Sequence, residues 1–176
     1  MKALFSLILT FSFAHAALAL DPLAGVPVQV AKRHQLFIDD KTCMNEAVFA
    51  SSVQDLGQKN KLVTINCIMG AYQGTDKLYI LSEIGGTTTV TDVIILESIG
   101  GAVLGTSDIG SSEYDEKTKT LTSTAKGRGL GDCGRSSVSK LIESEYGTIN
   151  FKTIEIRSKD KCDGGNKKWP VVFKQK

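Results

Sequence analysis

Short runs of alternating apolar and polar residues, separated by turn-forming residues, cover most of the chain beyond residue 36. In residues 61–69 the β-branched and apolar side chains Val63, Ile65 and Cys67 share one face, and residues 149–157 repeat this period of two. Such a period is produced by β-strands, whereas no long 3.6-residue period typical of helices is present. Residues 57–60, Gly-Gln-Lys-Asn, predict a hairpin turn between two of these strands.

The spacing of the turns predicts the fold class. The chain has 17 glycines and 3 prolines, and its turn signals recur about every 8 to 12 residues, which suits a β-sandwich or barrel. We predict an all-β fold, an antiparallel β-sandwich or barrel-like meander, with at most one short helix at residues 47–56, which fit either a strand or a helix. Residues 36–176 form a single β-rich domain, and residues 20–35, which contain Pro22 and Pro27, form an irregular N-terminal arm.

Residues 1–19 have the three parts of a secretory signal peptide. Lys2 supplies the positive charge, residues 3–13 are mostly apolar, and Ala-x-Ala sequences follow at residues 14–16 and 17–19. The apolar run is shorter than the roughly 20 residues that a membrane-spanning helix needs. We therefore expect cleavage after Ala16 or Ala19 and a mature protein that is periplasmic or secreted.

The four cysteines, Cys43, Cys67, Cys133 and Cys162, all follow this leader. An even number of cysteines in an oxidising compartment indicates disulfides, and four cysteines allow three connectivities. We favour Cys43–Cys67 and Cys133–Cys162, because each of these pairs encloses a plausible strand–turn–strand unit.

Charge gives little reason to expect nucleic acid as a partner, since the formal net charge is only +2. The charge is unevenly distributed, however: residues 151–176 carry eight basic and three acidic side chains. A lysine-rich final hairpin, in which lysine protects an edge strand from aggregation, explains this excess. A patch for an anionic partner is the alternative.

The sequence gives little support for a catalytic site or a cofactor site. Residues 129–134 spell G-x-G-x-x-G, but a dinucleotide site needs a helix after this motif, and a weakly alternating segment follows. We interpret the motif as a tight loop beside a disulfide. No C-x-x-C pair or G-x-S-x-G elbow is present, and His34 is the single histidine beyond the leader. We therefore predict no cofactor, no metal and no enzymatic activity.

Three ordered motifs carry a family resemblance. They are residues 62–73 (LVTINCIMGAYQ), residues 127–134 (GRGLGDCG) and residues 162–165 (CDGG), the last followed by Trp169-Pro170. Together they resemble the C-terminal part of the exported, cysteine-containing bacterial proteins known as domain of unknown function 1176. This resemblance implies an envelope location and the use of disulfides, and it supplies no activity.

Within these motifs, five side chains are candidates for a binding site: Tyr72, Arg128, Asp132, Arg135 and Trp169. Their alternative role is structural, with Arg128 and Asp132 forming a local ion pair beside Cys133 while Tyr72 and Trp169 fill the rim of the core.

These observations lead to a functional hypothesis. We expect a non-enzymatic exported protein that binds a protein or an envelope polymer, and that acts as an inhibitor or immunity factor toward an envelope-directed hydrolase. The alternatives are an envelope hydrolase acting on glycan or peptide, which would need a pair of carboxylates, and a purely structural envelope component.

Overall fold

The computed structural model of this chain describes residues 23–45, 51–144, 147–165 and 168–175. The predicted signal peptide, residues 1–19, lies outside these ranges. Within them, the chain forms one α-helix and eleven β-strands: α1 (Val28–Asp39), β1 (Ser51–Gly57), β2 (Asn60–Met69), β3 (Gly74–Ile84), β4 (Thr87–Asp92), β5 (Ile95–Ile99), β6 (Ala102–Thr106), β7 (Ile109–Asp115), β8 (Thr120–Lys126), β9 (Gly134–Glu143), β10 (Ile149–Lys159) and β11 (Val171–Lys174).

The strands build one large antiparallel sheet and one small one. The large sheet of the described chain has nine strands in the order β1-β2-β3-β7-β8-β9-β10-β11, with β4 also paired to β3. Strand β3 pairs with β2 along one edge, while its other edge is shared between β7 at Thr75 and Asp76 and β4 at residues 79–84. The second sheet is the hairpin β5–β6. The predicted all-β, sandwich-like fold is therefore confirmed.

The main core lies between the curved large sheet and strand β5, which packs across β9 and β10. A hydrogen bond from the Leu96 amide to Thr153 Oγ1 (2.9 Å) fastens β5 to β10. The buried apolar side chains of this core come from β1, β2, β3, β5, β7, β8 and β10 and from the segment before β5: Leu56, Leu62, Leu78, Ile80, Val93, Ile95, Ile109, Tyr114, Leu121 and Phe151. Alternation along each strand places one side chain of every two in this layer.

Helix α1 covers the opposite face of β2 and β3. Its buried Val30 packs there with apolar side chains from both strands, and its buried His34 contacts Tyr79 of β3. The helix corrects our interpretation of residues 20–35 as an irregular arm. Pro27 suggested a break, but it occupies the N-cap position of α1, and proline is tolerated where a helix begins because the first amides need no intrahelical partner.

Two local predictions can be compared with the structure. The turn at residues 57–60 connects β1 to β2 as predicted, with Gln58 and Lys59 at positive φ (49° and 63°). For residues 47–56 the sequence allowed either a strand or a helix. The described part of that segment, from Ser51, is strand β1. Among the described residues, the α-helix is α1.

Two disulfides join Cys43 to Cys67 and Cys133 to Cys162. The first ties the segment after α1 to β2, and the second ties the residue just before β9 to the segment after β10. In the ranges described, no helix combines the length and the apolar character needed to cross a membrane.

Candidate interaction surface

The connection between β8 and β9, residues 127–133, is called here the β8–β9 loop. Its two ends are closed by a hydrogen bond from the Gly127 amide to the Cys133 carbonyl (3.0 Å), and an internal turn is closed by the Gly131 amide and the Arg128 carbonyl (2.9 Å). The Cys133–Cys162 disulfide attaches the loop to the segment after β10. The loop is thus held at its base, across its middle and from the side.

Arg128 and Asp132 pair within this loop. Arg128 donates from Nε to Asp132 Oδ1 (2.8 Å) and from Nη2 to Oδ2 (2.6 Å), and the Gly164 amide donates to the same Oδ2 (2.6 Å). Asp132 is 1% exposed. The hydrogen bonds from Arg128, with help from Gly164, hold the pKa of Asp132 well below its ordinary value although burial opposes them. The carboxylate therefore stays charged and fixes the loop to residues 162–165.

Tyr72 lies beside the loop, in the turn between β2 and β3. Its ring packs closely on Gly129, where a Cβ atom would stand 3.0 Å from a ring carbon and would force the ring to shift. The neighbouring Gln73 accepts from the Lys126 amide (2.7 Å) and donates to the Thr124 carbonyl, extending the pairing at the end of β8. The two turns are therefore joined into one surface.

Arg135 and Glu97 form a second ion pair behind the loop. Arg135 donates from Nε to Glu97 Oε2 (2.5 Å), and Ser123 donates from its hydroxyl to Oε1 (2.8 Å). The Glu97 side chain is 1% exposed and that of Arg135 is 33% exposed. A buried carboxylate on β5 thus holds an arginine of β9 at the border between core and solvent.

Trp169 reaches the same region from the segment before β11. Its ring stands so close to Gly134 that a Cβ atom there would lie 2.9 Å from it. The Trp169 carbonyl accepts from Arg157 Nη1 (3.0 Å). Trp169 is half-buried and covers the backbone at the first residue of β9.

The five predicted residues thus meet at one end of the molecule. Arg128 and Asp132 make the local ion pair that we considered as their structural role. Tyr72 does not fill the core rim, because 71% of it is exposed. The residues that sequence reasoning missed here are Gln73, Glu97 and Leu130. Gln73 and Leu130 lie inside the first two motifs, whereas the signal for Glu97 was a charged residue inside an apolar run.

The G-x-G-x-x-G segment forms a loop that leads into strand β9, not into a helix. Gly131 and Gly134 have positive φ values of 67° and 138°, a conformation that glycine adopts without strain. Asp132, Cys133 and Cys162 lie close enough together for their ligand atoms to share a metal ion. Both sulfur atoms are already joined in a disulfide and the carboxylate is held by Arg128, so this group offers no set of metal ligands.

Comparison with known proteins supplies a family and no function. The curated protein YpfG of Escherichia coli (strain K12), described as uncharacterized, is 26% identical over 124 residues, which are 69% of this chain and 34% of YpfG. The chain therefore spans about a third of this relative. No solved structure gives a significant match. A family model described as "Protein of unknown function (DUF1176)" matches residues 18–176. The chain belongs to this family, as its three motifs indicated.

Proposed function

We propose that this chain is an exported, non-enzymatic binding protein, and that the β8–β9 loop with Tyr72 is the surface that contacts its protein partner. The proposal rests on one observation: a loop held rigidly by a disulfide and an ion pair carries exposed apolar side chains. Leu130, at the loop's tip, is 72% exposed, and Tyr72 beside it is 71% exposed. Exposed apolar side chains grouped on one surface are typical of interaction sites.

The bracing matters because ordering a flexible loop on binding costs free energy. Here the disulfide, the Arg128–Asp132 pair and the Gly164 amide have already fixed the loop before any partner arrives. A pre-organised loop loses less entropy when it is inserted into a cleft. Tyrosine on such a surface is among the side chains that contribute most to binding free energy.

Insertion of a rigid loop into a cleft is how many protein inhibitors act, and this supports an inhibitor or immunity factor directed at an envelope hydrolase. The two disulfides are typical of proteins that fold outside the cytoplasm, which favours a periplasmic or secreted location. Asp132 and Glu97 are each held by an arginine, so neither is free to serve in a pair of catalytic carboxylates.

The proposal is tested by affinity capture from envelope extract with the wild-type protein, two loop-surface variants and one control variant. Leu130→Ser and Tyr72→Ser each remove one exposed apolar side chain, and we expect each to weaken partner binding about tenfold, roughly 1.4 kcal/mol. Ile84→Ser is the matched control: Ile84 is 49% exposed and ends β3 at the opposite end from Tyr72.

The captured partner is then assayed for hydrolysis of glycan and peptide with and without the wild-type protein. Inhibition by wild type and by Ile84→Ser, with loss of inhibition in the two loop variants, supports the proposal. Equal capture by all four proteins contradicts it, as does a partner whose hydrolytic activity is unaffected. Thermal unfolding of each variant checks that the fold is retained.

A further inference from the structure

A cavity of about 370 Å³ opens behind the β8–β9 loop. Its walls are the turn after β5, the end of β8, the start of β9 and the end of β10, and the Cys133–Cys162 disulfide forms part of one side. This volume is within the range of roughly 300 to 1,000 Å³ that small-molecule sites occupy. The exposed face of the loop, to which we assign a protein partner, is a different surface.

Positive charge dominates the lining. Lys126, Arg135 and Lys159 line the cavity together with the single carboxylate of Asp160, among the residues that the structure describes. Lys159 donates to Asp163 (2.5 Å), and Asp160 accepts from Ser158 (3.3 Å). No hydrogen bond or ion pair of the Lys126 ammonium group is found within the described ranges. Lys126 belongs to the lining and is exposed, and Asp160 in the same lining forms no ion pair with it.

The ion pair with Glu97 leaves several N–H donors of the Arg135 guanidinium group without a partner in the described chain. Glu97 accepts from its Nε alone, and Ser123 occupies the other Glu97 oxygen. Within the described chain, neither terminal nitrogen of this guanidinium group has a partner. These two nitrogens carry four N–H donors in one plane, an arrangement that matches the paired oxygens of a carboxylate or phosphate. The buried Glu97 thus acts as a positioning residue for Arg135.

We propose that this cavity binds the oxyanion group of a sugar-sized ligand. The carboxylate or phosphate would receive hydrogen bonds from the terminal nitrogens of Arg135 and the ammonium group of Lys126. Ser98 lines the same cavity. Its hydroxyl would exchange hydrogen bonds with the hydroxyl groups of a sugar ring. Charge selects the ligand, and the cavity's volume limits its size.

The test is isothermal titration of the full chain with three probes: glucose 6-phosphate, glucuronate and uncharged glucose. We expect at least one of the two anionic sugars to bind about tenfold or more tightly than glucose, and the better of the two identifies the oxyanion. Raising the salt concentration should weaken the interaction, because ions screen the charge of the exposed Lys126.

Variants then locate the site. Lys126→Gln removes the unpaired charge and should weaken anion binding several-fold, while Arg135→Lys keeps a cation beside Glu97 but loses the planar donors and should weaken it further. Lys117→Gln is the matched control, since Lys117 lies in the turn before β8, at the other end of that strand, and should bind like wild type.

Two results would overturn the assignment. One is no binding of either anionic sugar up to about 10 mM, a limit that excludes all but the weakest interactions. The other is binding that is unchanged in both Lys126→Gln and Arg135→Lys while thermal unfolding shows that both proteins are folded. Neither result depends on a protein partner, so the outcome is separate from that of the loop hypothesis.

Discussion

His34 should make the stability of this protein depend on pH between about 4 and 6.5. The imidazole is fully buried between α1 and the sheet. A hydrogen bond of 2.8 Å joins its Nδ1 to the hydroxyl of Tyr79, while Nε2 is buried without a partner in the described chain. Burial, with a smaller contribution from the positive charge of Lys77, lowers the pKa of His34 from 6.5 to about 4.

The other charged groups near His34 are themselves paired. Lys77 contacts Asp108 (2.5 Å) and Ser107 (3.0 Å). Arg33, the neighbour of His34 on α1, donates to Asp92 on β4 (2.5 Å). The carboxylates of Asp108 and Asp92 are thus each engaged by a cation rather than by the imidazole.

The direction of the effect follows from which state binds the proton first. The unfolded chain takes up a proton as the pH falls through 6.5, whereas the folded protein does so only near 4. The stabilising contribution is therefore complete above pH 6.5 and is lost as the pH falls toward 4. A shift of this size corresponds to about 3 kcal/mol in total and to about 2 kcal/mol between pH 7 and pH 5.

Urea denaturation at pH 7 and pH 5 measures this difference directly. A loss of about 2 kcal/mol should also lower the melting temperature by roughly 4 to 8 °C in a domain of this size. His34→Asn is the control, because it keeps a polar group near Tyr79 but does not titrate, so its stability should change much less over the same interval. Equal pH dependence in wild type and His34→Asn, or a pKa near 6.5 for His34 by NMR titration, would refute the reasoning.

Three further changes should be measurable by chemical denaturation or soluble yield. Replacing Cys133 and Cys162 together by serine opens a loop with a sequence separation of 29 residues and should lower the free energy of unfolding by about 3 to 4 kcal/mol; an unchanged value would mean that the bridge stabilises nothing. Arg135→Ala strands the buried carboxylate of Glu97 and should cost about 2 kcal/mol or more, with partial recovery on adding Glu97→Gln; the absence of any recovery would show that the pair is not the cause. Gly110→Ala places a Cβ against the backbone of strand β8, so we expect loss of soluble, folded protein, and normal yield would contradict this.

The sequence predicted the strands well because a half-buried strand leaves a period of two in the side chains that form it. Residues 61–69 and 149–157 show that period and lie in β2 and β10. Helix α1 was missed for a local reason. Pro22 and Pro27 dominated the interpretation of the N-terminal segment, although Val26, Val30 and His34, all buried, recur at intervals of four.

The candidate site was predictable only in part, because much of it depends on contacts between distant positions. The Arg128–Asp132 pair spans four residues inside one motif and was foreseen as a local pair. Glu97 and Arg135 are 38 positions apart and meet because β5 crosses β9, an arrangement that no period in the sequence encodes. The position of Tyr72 likewise depends on a distant segment, because its ring packs on Gly129 of the β8–β9 loop.

The shared edge of β3 has a consequence for the motions of the molecule. One strand donates and accepts along both of its sides, to β2 on one and to β7 and β4 on the other, and α1 shields it from above. Separating any of these neighbours leaves β3 anchored by the rest, so its amide protons should exchange with deuterium last, through global unfolding alone. Peripheral strands such as β11 can fray without disturbing it.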